Sequence, residues 1–260
     1  MRSRKIQTLT PMEIKTMTYQ SVFQRYELKY TLTRKQCAEI KEAIAGRMRI
    51  DDYGLTTIRN IYLDTEDYRL IRKSLDKPVY KEKIRIRSYR YASTEDMVFV
   101  ELKKKYEGIV YKRRIESANY LALDWLCAGG DAPAESQIAR EITYFRDFYE
   151  NIIPKVFISY EREAYIPISQ DSEEIRITFD TNILGRDHHL SFSSGIYGER
   201  IIPDDTVLME IKIPGVMPLW LARILDAKNI KQSSFSKYGE YYKNFILNTT
   251  EETKGGLLYA

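Results

Sequence analysis

Lys81-Glu82-Lys83-Ile84-Arg85-Ile86-Arg87 is the stretch from which the fold is read. Residues two apart in a strand share a face, so Lys81, Lys83, Arg85 and Arg87 point one way while Ile84 and Ile86 point the other. The same alternation recurs along the chain. Arg25, Glu27 and Lys29 alternate with Tyr26, Leu28 and Tyr30, and Glu101, Lys103 and Lys105 with Val98, Val100 and Leu102. Lys112 and Arg114 stand together. Glu174, Arg176, Thr178 and Asp180 alternate with Ile175, Ile177 and Phe179, and Glu210 and Lys212 with Ile211 and Ile213. Six strands thus share one charged, mainly cationic face and one apolar face.

An ordinary antiparallel sheet with its polar face in water also alternates. Such faces usually mix Thr, Ser and Gln with the charges, and they avoid runs of like charge on neighbouring strands, which repel. The competing geometry closes the sheet into a barrel whose interior holds the charges and whose apolar outside is covered by helices. A barrel of about eight strands can enclose one small elongated ligand. Enclosed, unpaired positive charge is costly, so the ligand of such a barrel is a polyanion. The acids would pair with some cations or hold a metal.

The remaining sequence fits this plan. Strands are predicted over 22–31, 58–64, 78–91, 97–106, 109–116, 155–166, 174–181 and 207–213, with a hairpin turn at Glu107-Gly108. Helices are predicted over 33–46, capped by Thr33, and over 65–74, 117–127, 135–149, 219–227 and 235–247. The fold class is therefore α+β: a closed antiparallel β barrel of about eight strands with peripheral helices. Residues 1–19 read as a tail in which Met12 or Met17 competes with Met1 as the start, 20–247 as a single domain and 248–260 as a second tail.

With 260 residues, 43% hydrophobic and 30% charged, the chain is long enough and apolar enough for a packed core. The balance of 41 Lys and Arg against 37 Asp and Glu gives +4, so an anion site must come from how the cations are arranged. Cys37 and Cys127 lack metal-type spacing and no signal peptide precedes them, so the expected setting is reduced and cytoplasmic. His188 and His189 are adjacent and cannot converge on one ion, and no apolar run approaches membrane-spanning length. Lys103-Lys104-Lys105 is not a nucleic-acid patch, because alternation turns Lys104 away from its neighbours. Tyr26, Tyr30, Tyr89 and Tyr91 read as wall packing rather than base-stacking platforms.

Several ordered pieces carry a family resemblance. They are Arg25-Tyr26-Glu27-Leu28-Lys29-Tyr30, Ile61-Tyr62-Leu63-Asp64-Thr65, Ile84-Arg85-Ile86-Arg87-Ser88-Tyr89 and Val98-Phe99-Val100-Glu101-Leu102-Lys103. They continue with Ser159-Tyr160-Glu161-Arg162, Ile175-Arg176-Ile177-Thr178-Phe179-Asp180, Leu208-Met209-Glu210-Ile211-Lys212 and Phe235-Ser236-Lys237-Tyr238. Over about residues 22–246 the chain resembles the polyphosphate polymerase (VTC) domain of the vacuolar transporter chaperone family, in the triphosphate tunnel metalloenzyme superfamily.

The resemblance implies a tunnel that moves the γ-phosphate of ATP, or of another triphosphate, onto a growing polyphosphate chain. The phosphate ligands it implies are Lys29, Arg85, Arg87, Lys103, Lys112, Arg162, Arg176 and Lys237. Catalysis would rest on Arg85, Arg87, Lys29, Lys103 and Glu210, with Glu210 holding Mn2+ or Mg2+. Glu27 and Glu101 are second candidates for the metal or for holding lysines in place. Arg25 stands where the broader superfamily has a glutamate, which favours the polymerase-like branch. The family's tunnel arginine after the Tyr-Leu-Asp strand corresponds to the stretch Arg72-Lys73-Ser74-Leu75. The family's inositol-phosphate-sensing domain and membrane helices have no counterpart here, and a membrane partner is left open. A triphosphatase acting on a nucleotide or inorganic triphosphate, and a polyphosphate-binding module without turnover, are the alternative functions.

Overall fold

The computed structural model describes residues 26–169 and 174–248. Residues 22–25 of the first predicted strand, Arg25 among them, and the residues at 1–19 and from 249 onward lie outside the described residues. The strands are β1 (Tyr26–Thr33), β2 (Met48–Ile50), β3 (Thr56–Asp64), β4 (Tyr80–Ser88), β5 (Met97–Tyr106) and β6 (Ile109–Ala118). They continue as β7 (Ile153–Pro167), β8 (Arg176–Arg186), β9 (Glu199–Arg200), β10 (Thr206–Ile213) and β11 (Gln232–Ser233). The helices are α1 (Arg34–Ile44), α2 (Arg69–Leu75), α3 (Asn119–Leu123), α4 (Gln137–Tyr149), α5 (Leu219–Ala227) and α6 (Lys237–Tyr241). A π-helical turn extends α3 through Asp124–Ala128, and another extends α6 through Tyr242–Leu247.

Each predicted strand and helix is present, with ends shifted by a few residues. The strands join in one 11-stranded sheet in the order β11-β1-β10-β8-β7-β3-β4-β5-β6, with β2 added beside β7 and β9 beside β8. Local chemistry fixes the joints. The Thr33 hydroxyl accepts from the Gln36 backbone N at 3.1 Å while the Gln36 side chain accepts from the Thr33 N at 3.0 Å, a reciprocal cap that starts α1 directly from β1. Glu107 and Gly108 carry φ of 47° and 87°, the left-handed pair that a two-residue hairpin between twisted strands requires.

The apolar faces are buried as their alternation demands. Ile84, Ile86, Val98, Val100 and Leu102 pack under Trp125, Ile142 and Phe145. Tyr30, Ile177, Phe179, Met209 and Ile211 pack under Ile40 and Ile44 of α1 and Leu221 and Leu225 of α5. One expectation is corrected here. Helices do not cover the apolar outside alone: α2 and α6 lie against the opposite, inner face, where Tyr62, Val156, Ile158, Ile183 and Leu208 pack with Ile71, Tyr238, Tyr241 and Tyr242. These two helices close off one end of the charged face with an apolar floor. The sheet curls around what remains, so that β1 and β6, far apart in strand order, approach each other. Lys103 on β5 reaches Glu27 on β1 at 2.6 Å. Among the described residues no helix is long and apolar enough to cross a membrane.

Candidate anion-binding site

Strand parity chooses the residues of the inner face, and register sets which of them meet. Arg85 on β4 stands opposite Tyr62 on β3 and Glu101 on β5, and Glu101 stands opposite Arg114 on β6. Glu101 is 1% exposed. It accepts from Arg85 Nε at 2.9 Å and Nη2 at 2.8 Å, from Arg114 Nε at 2.7 Å and from Lys112 Nζ at 2.7 Å, with Arg87 Nε at 3.8 Å. Burial opposes its ionisation, but the guanidinium groups of Arg87 and Arg85 and the ammonium of Lys112 hold it well below the usual carboxylate range. A carboxylate so fully engaged is a hub for cations. Arg85 Nη1 also donates to the Tyr62 hydroxyl at 3.0 Å, and Arg87 Nε to Asn60 Oδ1 at 2.9 Å, so both forks are pre-aimed.

A second cluster forms on β1, β8 and β10. Lys29 faces Glu210, and Glu210 faces Thr178. Glu210 has Arg162 at 3.4 Å, Lys29 and Lys237 at 3.6 Å and Lys212 at 3.8 Å. Asp180 takes Arg162 Nε at 2.6 Å and Lys237 Nζ at 2.6 Å. Burial works against the Glu210 charge, and its lysine and arginine neighbours overcome it, leaving it well below the ordinary value. Desolvation also works against the charge of partly exposed Glu27, and Lys103 and then Lys212 overcome it and bring it down to about 2.

Lys83 lies between the clusters. Its Nζ donates to Ser236 Oγ at 2.7 Å, and among the described residues no carboxylate lies within ion-pair range. Burial first, then Lys29, Lys81, Lys103 and Arg85, push its ammonium well below the ordinary lysine value. Lys112 shares Glu101 with three arginines, and burial brings it down to about 7; burial likewise brings Lys212 to about 8. Together these groups form a site with more positive charge than its own acids neutralise.

Lys29, Arg85, Arg87, Lys103, Lys112, Arg162, Lys237 and Glu210 all converge on the inner face. Arg176 does not join them: it lies at the rim, half-exposed, with Nη2 on Asp51 at 2.8 Å. In the 72–75 stretch, Arg72 is exposed and paired with Asp67 at 3.2 Å, away from the site. Lys83, Arg114 and Lys212 belong to the site as well, and parity already placed them on its face. The reading of four tyrosines as wall packing holds for buried Tyr30. Tyr26 and Tyr91 are exposed, and Tyr89 is a site group that accepts from Arg114 Nη2 at 2.6 Å. His188 and His189 are on the surface, His189 bonded to Tyr197 at 2.8 Å.

Among the described residues no three acidic, histidine or cysteine side chains group as a protein-only cage. Glu210 interacts electrostatically with both Glu27 and Asp180. The Thr178 hydroxyl opposite it is buried without a hydrogen-bond partner among the described residues. One or two carboxylates, a free hydroxyl and incoming phosphate oxygens fit a hydrated hard ion that arrives with its anion.

The charge state of Lys112 gives a prediction. A lysine must be charged to hold phosphate, so inorganic tripolyphosphate binds more weakly as pH rises through about 7, and binding in that window takes up protons. Calorimetric titration against pH tests this, and Lys112→Met should flatten the slope. A slope unchanged in that variant would assign the effect to other groups.

The VTC domain family profile matches residues 24–246. A similar solved structure is that of a candidate adenylate cyclase from Bacillus halodurans, 14% identical, covering 86% of this chain and 99% of that one with a TM-score of 0.52. Another is that of a candidate adenylyl cyclase from Hippeastrum described as having a dominant triphosphatase activity, 13% identical, covering 86% and 97% with a TM-score of 0.47. Curated protein sequences give no match. At 14% identity the Bacillus halodurans structure bears on the fold alone. The family match spans all the described strands and every inner-face group named above, and on that ground the chain belongs to the VTC domain family.

Proposed function

We propose that the chain is a polyphosphate polymerase-like phosphotransferase, with the sheet closed into a tunnel around its charged face. The observation that carries this reading is Lys83, a partly buried lysine surrounded by Lys29, Lys81, Lys103 and Arg85 and unmatched by any carboxylate among the described residues. Such an arrangement is stabilised by a ligand that brings several negative charges in a line. ATP and polyphosphate both do so.

Phosphoryl transfer depends on positioning and charge stabilisation more than on a protein nucleophile. Arg85 and Arg87, held by Tyr62, Asn60 and Glu101, present planar forks to phosphate oxygens. Lys29, Lys83 and Lys237 neutralise the neighbouring phosphates. A terminal oxygen of the acceptor chain forms the new bond to the γ-phosphorus as the bond to the β-bridging oxygen breaks and ADP leaves. Glu210, with Glu27 nearby, would hold Mg2+ or Mn2+, which supplies positive charge to the phosphate oxygens.

The test is phosphorus NMR of the purified chain with ATP and Mn2+ or Mg2+. Growth of internal chain phosphate signals with accumulating ADP supports the polymerase. Free phosphate or pyrophosphate without chain signal moves the assignment to a triphosphatase, and bound but unreacted ATP to a binding module. Glu210→Ala is expected to abolish turnover while tripolyphosphate binding is retained, because removing one acid from a basic site does not remove its attraction for anions. Full activity in that variant would remove Glu210 from the metal site.

A further inference from the structure

The segment 235–238 touches the site at four points. The Phe235 carbonyl accepts from Lys29 Nζ at 2.7 Å, Ser236 Oγ accepts from Lys83 Nζ at 2.7 Å, and Lys237 Nζ donates to Asp180 at 2.6 Å. The ring of Tyr238 stacks on Tyr62 at 5.0 Å and 25°, and Tyr62 in turn accepts from Arg85. One short stretch therefore sets the positions of three lysines and backs an arginine.

What anchors this stretch is a buried carboxylate outside the cation clusters. Asp64, at the end of β3, is fully buried. Its Oδ1 accepts from the backbone N of Thr65 at 2.9 Å and of Leu70 at 2.8 Å, and its Oδ2 from the backbone N of Ile71 at 3.0 Å and the Tyr238 hydroxyl at 2.9 Å. It thus ties β3, the start of α2 and the start of α6 together. Further along α6, Tyr241 packs flat enough on Gly185 that a Cβ there would sit 2.4 Å from its ring. That apolar contact seats the helix, and Ser236 Oγ caps its first turn by accepting from the Gly239 N at 3.1 Å. The Tyr238 hydroxyl ties that turn to the end of β3.

We infer that Asp64 is a positioning residue for the anion site, acting through the Tyr238 hydroxyl to hold Lys237 and its neighbours in place. The inference rests on the reading of the inner face as a polyphosphate- or triphosphate-binding site, and it assigns Asp64 no contact with the ligand.

The test is calorimetric binding of inorganic tripolyphosphate by the full chain, with melting temperature measured alongside. Tyr238→Phe keeps the stacked ring and removes only the hydroxyl, and it is expected to weaken binding roughly 5- to 20-fold, inside the range of coupling between residues that share partners. In a Lys237→Ala background the same change is expected to cost clearly less, because the group most directly positioned is gone while Lys29 and Lys83 keep their contacts with Phe235 and Ser236. Asp64→Asn, which keeps the shape of the carboxylate, should reproduce the pattern and serves if the tyrosine variant melts below the assay temperature. Equal losses in both backgrounds would mark a general structural role and overturn the inference, as would unchanged affinity in Tyr238→Phe. Wild-type protein that binds no tripolyphosphate would instead overturn the anion-site reading, and this inference with it.

Discussion

Glu101→Ala is expected to destabilise the fold by on the order of 3 kcal/mol, and added tripolyphosphate is expected to restore more of the lost melting temperature than it adds to the wild type. Removing one partner of a buried ion pair costs about 3–5 kcal/mol, because the other charge stays buried without compensation. Here a single carboxylate serves Arg85, Arg114 and Lys112, with Arg87 close by. Arg114 and Lys112 keep some access to water, which places the cost at the lower end of that range. A phosphate oxygen can take the position of the missing carboxylate. Ligand that binds only the folded state stabilises it by mass action, and the vacated hub strengthens that binding. Thermal melts of both proteins with and without tripolyphosphate decide the matter. A variant as stable as the wild type would mean that the cations are individually hydrated and that Glu101 does not organise them.

How legible this was depends on which physical signal each feature carries. The long strands were readable because a two-residue period in charge against apolarity is independent of long-range contacts, as Ile84-Arg85-Ile86-Arg87 illustrates. The short strands β2, β9 and β11 carry too few residues for a period, and the π-helical turn after α6 leaves no trace in composition. Parity placed Lys83, Arg114 and Lys212 on the correct face, although the family resemblance passed over them. What parity lacks is register. Only strand pairing puts Glu101 between Arg85 and Arg114, and this makes it a cation hub. Arg176 also faces inward by parity, but it begins its strand at the rim, beside Asp51 in the turn after β2. The placement of α2 and α6 on the inner face was not readable either. An amphipathic helix reports that it has an apolar side, not which sheet face will receive it.

Replacing Arg85 and Arg87 together by alanine is expected to weaken tripolyphosphate binding by about 3–6 kcal/mol, since a hydrogen bond to a charged group contributes about 1.5–3 kcal/mol. That corresponds to roughly a hundredfold to ten-thousandfold loss in affinity. The double alanine variant also leaves Glu101 with fewer partners, so a loss of binding alone could reflect a collapsed site. The double lysine variant separates the two effects. Arg85→Lys with Arg87→Lys keeps two positive charges near Glu101 and therefore keeps the hub compensated, but an ammonium lacks the planar fork that grips two phosphate oxygens at once. If the geometry of the forks is what matters, the lysine variant should melt near the wild-type temperature and yet recover only part of the lost affinity. Full recovery would mean that the site reads charge and not shape, as expected of a diffuse polyanion-binding surface. Unchanged affinity in the alanine variant would mean that the pair does not meet the anion, and the enclosed-site reading would fail with it. The Tyr62 and Asn60 contacts argue for the first outcome: each arginine is held by a neutral partner on the adjacent strand as well as by charge. A surface that bound by charge alone would gain nothing from aiming its guanidinium groups in this way.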